Sequence, residues 1–85
     1  MSVIIYVADL PEFAPVVDGA RKLPDCTVSR IASGYWKIES PSEIRFVRKE
    51  LGMGPALWNS ALSGGFRGSI VSFDRNKMCL RAEHG

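Results

Sequence analysis

The sequence predicts a small α+β domain, an antiparallel or mixed sheet with helices on one face, in the order β-α-β-β-α-α-β-β. Three observations carry the prediction. Apolar, β-branched runs stand at both ends of the chain, Val3 to Ala8 and Ile70 to Leu80; segments of helical period lie between them; and Gly, Pro and Asn mark the junctions. With 85 residues, 46% hydrophobic and 24% charged, the chain has the balance of one globular domain, 1–85, and is too short for two cores.

Val3 to Ala8 is continuously apolar and ends at Asp9-Leu10-Pro11, which suits a central strand covered on both faces. Phe13, Val16, Val17 and Ala20 then follow the i, i+3, i+4, i+7 pattern of an amphipathic helix, with Asp18 and Arg21 pointing away. Pro15 is compatible only with the first turn, so the helix runs from about Glu12 to about Lys22. Cys26 to Ser40 is rich in Thr, Val, Ile, Tyr and Trp around Ser33-Gly34, the pattern of a hairpin with a two-residue turn; pairing across Ser33-Gly34 sets Ile31 opposite Trp36 and Ser29 opposite Ile38 but leaves Val28 and Cys26 on the other face, so a bulge or a two-sided sheet also fits.

Ser40-Pro41-Ser42-Glu43 has the form of a capping box. Ser40 can accept the Glu43 amide, Glu43 can reach back to the Ser40 N–H, and Pro41 sits where a missing N–H costs nothing. The helix it predicts buries Ile44, Val47 and Leu51, lines up Arg45, Arg48 and Lys49 as a basic ridge, and turns Glu43, Phe46 and Glu50 to the far side. Gly52-Met53-Gly54 interrupts it, and Pro55 opens a second short helix with Leu57, Trp58, Ala61 and Leu62 on one arc, closed by Gly64-Gly65. The last hairpin turns at Arg75-Asn76, pairing Phe73 with Met78 and Val71 with Leu80 on one face and leaving Ile70, Ser72 and Cys79 on the other. Asn76 tolerates the left-handed backbone such turns often need.

Several function classes are poorly served by this composition. The net charge of +2 falls well short of the basic stripe of nucleic-acid-binding domains, so nucleic acid is not an expected partner. Val3 to Val7 lacks a basic n-region and the length of a spanning segment; no membrane role is expected, and the reading is a soluble, cytoplasmic protein. Cys26 and Cys79 have no metal-ligand spacing and read as two buried thiols in a reducing compartment. His84, the only histidine, is penultimate and reads as a solvated tail residue, so neither an activated nucleophile nor a zinc site assembles, and no metal or cofactor is expected. The acidic residues fall at caps, turns and solvated faces, with no catalytic pair among them.

Without its last strand, and with the two short helices counted as one, the order is β-α-β-β-α-β, that of a ferredoxin-like split βαβ unit. Ile5-Tyr6-Val7-Ala8-Asp9-Leu10 resembles the first-strand motif of RNA-recognition motif domains, a resemblance that implies Tyr6 on a sheet where bases stack. The partner motif is absent: Tyr35-Trp36-Lys37-Ile38 lacks the Gly-aromatic pattern, and Arg67 to Phe73 matches it only with a gap and in the wrong strand. Ser42 to Gly52, followed by Pro55 to Leu62, resembles the first two helices of repressor-type helix-turn-helix domains, but a β-branched segment stands where the recognition helix belongs. Gly64-Gly65-Phe66-Arg67-Gly68 has a phosphate loop's composition without its spacing and reads as a helix end entering a strand.

What remains is a surface. Arg45, Arg48, Lys49, Trp58 and Arg67 converge if the helices fold back at Gly52-Met53-Gly54, giving an aromatic floor with guanidinium walls for a small anionic ligand or an acidic protein partner. The competing reading is a solvated basic ridge beside a core tryptophan. The helices can cover only one face of the sheet, which predicts a homo-oligomer, a dimer centred on Tyr6, Tyr35 and Ile70. The sequence therefore reads as a non-enzymatic domain that self-associates and binds a partner or anionic ligand. Its alternatives are a minimal enzyme with an inter-subunit pocket, using Arg45 or Arg48 with Tyr6, Tyr35, Glu39 or Glu43, and a nucleic-acid-binding module.

Overall fold

The β-branched run at the start of the chain forms the central strand β1 (Val3–Ala8) of an α+β domain. The computed structural model describes residues 2–83; His84 lies outside them. After β1, a 3-10 turn (Pro11–Phe13) runs into α1 (Ala14–Arg21), followed by β2 (Thr27–Ile31), β3 (Tyr35–Ser40) and β4 (Glu43–Val47). Two short helices, α2 (Arg48–Leu51) and α3 (Pro55–Asn59), lead to β5 (Phe66–Arg67), β6 (Ser69–Phe73) and β7 (Lys77–Arg81). The predicted order is present with two strands, β4 and β5, interpolated.

The strands form two antiparallel sheets, β2-β3-β1-β5 and β4-β7-β6. Because β1 and β2 flank β3, the β1-α1-β2 crossover is a split βαβ unit, as the element order suggests. The single sheet expected beyond it is divided by two corners. Only Pro41 and Ser42 separate β3 from β4, and only Gly68 separates β5 from β6, so two lengths of chain pass from one sheet into the other. Gly68 has φ +120°, and a Cβ there would lie 2.6 Å from the Arg81 carbonyl oxygen, so only glycine makes this corner. The enclosed core joins Val3, Ile5, Val7 and Ile38 from the first sheet to Ile44, Phe46, Met78 and Leu80 from the second. Val16, Val17 and Ala20 of α1 pack into it, as the helical period predicts, and so do Trp58 and Ala61.

The predicted helix over Pro41 to Leu51 is helical only at its end, in α2; Glu43–Val47 is a strand. Ser40 is fully buried, and its Oγ accepts the N–H of Ser42 at 3.3 Å, supporting a bend between strands and not a helix start. Glu43-Ile44-Arg45-Phe46-Val47 also alternates polar and apolar. Ile44 fits either period, but Phe46, assigned to the helix exterior, is 4% exposed, and Val47, assigned to the core, is 37% exposed. Tertiary pairing with β7 decides in favour of period two.

The 26–40 hairpin is one residue out of the predicted register: Ile31 faces Tyr35 and Val28 faces Ile38. Its loop has three residues, Ala32, Ser33 and Gly34, with Gly34 at φ +82°, the form in which a glycine closes a three-residue hairpin. In the last hairpin Phe73 pairs with Met78 as predicted, but a bulge between Ile70 and Ser72 replaces the Val71–Leu80 pair by Ile70–Leu80. Asn76 keeps a negative φ. The Asp74 carboxylate closes the turn instead, accepting the N–H groups of Asn76 at 2.8 Å and Lys77 at 3.0 Å.

Candidate functional site

The corner at Ser40-Pro41-Ser42 sets the parity of β4, and with it the residues that leave the core. Ile44 and Phe46 turn inward; Glu43, Arg45 and Val47 turn outward. Their partners across the ladder are Arg81, Cys79 and Lys77, so the outer face of the second sheet gathers Arg45, Lys77 and Arg81 around Cys79 and Glu43. With Val47, Val71, Ser72 and Met78 the three cations line a groove of about 340 Å³. Val47 and Val71 are exposed, an apolar floor among cations.

Glu43 lies between Arg45 and Arg81 on this face. Its Oε2 accepts the thiol of the buried Cys79 at 3.3 Å and lies 3.5 Å from Arg45 Nη2 and 3.6 Å from Arg81 Nε. The Cys79 hydrogen bond and the two guanidinium charges hold its carboxyl below the usual carboxylate range. Glu43 is one of the two carboxylates, with Glu39, expected beside Arg45 or Arg48 for proton transfer; its Oε2 is engaged by the Cys79 thiol and lies beside both guanidiniums. Exposed ion pairs of this kind contribute little to stability, so the guanidiniums are positioned without being locked. Lys77 has no ion-pair partner within 4 Å among the described residues.

The five residues expected to converge do not share a surface. Arg45 belongs to the groove above. Arg48 is occupied by the fold: its Nε–H donates to the Arg75 carbonyl at 2.8 Å and its Nη1–H to the Met53 carbonyl at 3.1 Å, tying α2 to the β6–β7 turn. Lys49 is exposed on α2. Trp58 is fully buried, donates its indole N–H to the Asp74 carbonyl and meets Phe73 edge-on at 5.9 Å, so the aromatic floor is core. Arg67 lies on β5, in a separate groove with Ser2, Ile4, Phe66, Gly68 and Glu83. The proposed convergence assumed a helix at 43–47; a strand there sends Arg45 away from Arg48.

The residues named for self-association also separate. Tyr6 and Tyr35 are half-buried on the outer face of the first sheet beside the Lys37–Glu39 pair at 3.5 Å, whereas Ile70, 46% exposed, is on the second sheet. Cys26 and Cys79 are free thiols; Cys79 is buried as expected, while Cys26 is half-buried and its thiol is raised by burial and by Asp25.

Sequence reasoning missed two features. One is the contribution of Lys77 and Arg81, visible as outward positions at period two once β7 pairs with β4. The other is Trp36, whose indole N–H donates to Asp9 while the Arg30 and Arg21 guanidiniums lie 4.5 Å and 5.3 Å from its ring centre. Asp9 also pairs with Arg30 at 3.3 Å, so this cluster ties the segment after β1 to the hairpin. Its two sides are far apart in sequence, and nothing local signals the contact.

No family model matches the chain, and no curated protein matches it. Among the described residues no three His, Cys, Asp or Glu side chains gather as a metal site, and no helix is long and apolar enough to cross a membrane.

Proposed function

We propose that the protein is a binding domain that holds an anionic ligand or acidic protein partner on the outer face of its second sheet. The observation that carries this reading is the placement of Arg45, Lys77 and Arg81 around two exposed valines, with Glu43 beside Arg45 and Arg81. The three cations lining the groove outnumber the Glu43 carboxylate that two of them share. Such a focused field speeds the approach of an anion and orients it.

Titration of the isotope-labelled protein with poly-L-glutamate, followed by amide NMR, tests the reading. Shifts should cluster at Arg45, Lys77, Cys79 and Arg81, diminish with added salt, and disappear in the Arg45→Gln/Arg81→Gln variant, whose replaced side chains are exposed. Shifts scattered over the surface, or none at millimolar glutamate, would overturn it. Tighter binding of a single-stranded oligonucleotide than of polyglutamate would overturn the acidic partner in favour of nucleic acid.

A second reading concerns self-association. The outer face of the first sheet presents half-buried Tyr6, Tyr35 and Ile31 beside the Lys37–Glu39 pair, so it offers a second copy apolar area. Size-exclusion chromatography with light scattering at micromolar concentration should show a dimer that Tyr6→Glu dissociates. A single 9.4 kDa species would remove this reading and leave the basic groove untouched.

A further inference from the structure

Resting on the proposed anionic partner, we infer that the groove's occupant is an extended acidic peptide that adds as a strand to β6. The second sheet ends at two strands, β4 and β6, each paired only with β7. On the β4 side, α1 and α2 crowd the sheet: a Cβ on Gly19 of α1 would strike Leu51 of α2 and lie 3.6 Å from Phe46 of β4. Among the described residues the β6 side has no such wall. Ile70 and Val71 are 46% and 51% exposed, and outside the β6–β7 ladder only Asp74 of the described residues, beyond the strand's end, makes a backbone hydrogen bond nearby. Neither Pro nor Lys interrupts Ser69–Phe73, and its one guard against pairing is the bulge at Val71.

Charge and spacing select the occupant. Lys77, Cys79 and Arg81 project from alternate positions of β7 onto the groove face, so the two cations stand four residues apart, about 14 Å along the strand. Acidic side chains at i and i+4 of an added strand have the same separation. They can reach over β6 toward Lys77 and Arg81, while an apolar side chain at i+2 falls beside Val71 and Ser72. The shape of the recognition is already visible in the protein itself, since Arg45 and Arg81 hold the Glu43 carboxylate between them with one nitrogen each. A second copy pairing edge to edge would satisfy the same backbone groups but leave the cations of both molecules unneutralised. An acidic strand does both.

The test uses the full chain and three blocked hexapeptides: one with glutamate at the first and fifth positions and valine at the third, its counterpart with lysine for glutamate, and the glutamate peptide N-methylated at alternate residues. The glutamate peptide should bind, slow amide exchange within Ile70 to Phe73, and lose about tenfold in affinity on N-methylation and again on moving from low to high salt. The lysine peptide should not bind. Equal binding of the N-methylated peptide would overturn strand addition while leaving the anion-binding groove intact. Failure of both the glutamate peptide and polyglutamate would remove the groove as well. Dimerisation through β6 that strengthens with salt would overturn the inference in favour of a second copy.

Discussion

Replacing Trp58 by phenylalanine separates a core tryptophan from a ligand-contacting one. The side chain is 0% exposed, its indole N–H is 2.6 Å from the Asp74 carbonyl oxygen, and its ring stands edge-on to Phe73. Phenylalanine keeps most of the apolar contact but removes the donor and leaves that carbonyl unpaired, a cost of ~1–3 kcal/mol. The lost volume adds about 1 kcal/mol more. A combined loss of about 2–4 kcal/mol is a large share of the ~4–13 kcal/mol that a domain of this length has in total, so the melting temperature should fall by roughly 8–30 °C. Urea denaturation followed by circular dichroism should show a lower midpoint with an unchanged slope. Amide exchange should accelerate in the hairpin that Trp58 anchors, the one that carries Lys77 and Arg81. In a Trp36→Phe background, emission from Trp58 should resist acrylamide. A loss below about 0.5 kcal/mol, or quenching as efficient as for free indole, would refute the assignment.

Two further outcomes follow from the corners and turns. Gly68→Ala forces a Cβ to within 2.6 Å of the Arg81 carbonyl at φ +120°, so it should destabilise by several kcal/mol and lower the yield of folded protein; a melting temperature equal to the parent's would show that the corner is not tight. The Asn76 and Lys77 amides hold the Asp74 carboxyl below the ordinary aspartate range. A carboxyl lowered on folding stabilises above its unfolded value and loses that contribution as pH falls through the lowered one. Asp74→Asn keeps an acceptor without the titration, so the parent's advantage in melting temperature should be full at neutral pH and vanish on acidification; an advantage independent of pH would contradict the turn's design.

How much of this was legible varies with the range of the forces that decide it. α1 was readable because its apolar residues recur at helical period and Pro15 fits the first turn, both local facts. Pro55 likewise opens α3 where expected. The segment 40–47 was misread because two local signals conflict there. The Ser40-to-Glu43 spacing matches a cap, while the alternation after it matches a strand, and neither outweighs the other until β7 offers a ladder. The candidate groove was lost with it, because a residue's partners on a surface depend on the period of its element. Arg45 was identified, but its neighbours Lys77 and Arg81 stand more than thirty residues away in the chain.

By itself the sequence determined the class of the domain, the position of the first strand and helix, and the pairing of Phe73 with Met78. All of these rest on periodicity and turn chemistry within a few residues. The tertiary structure alone decided that the sheet divides at Ser40-Pro41-Ser42 and Gly68, that Trp58 belongs to the core, and that three cations meet on one face. Those outcomes depend on which distant strand completes a hydrogen-bond ladder, and ladder energy is shared between segments that carry no mark of one another in the linear chain.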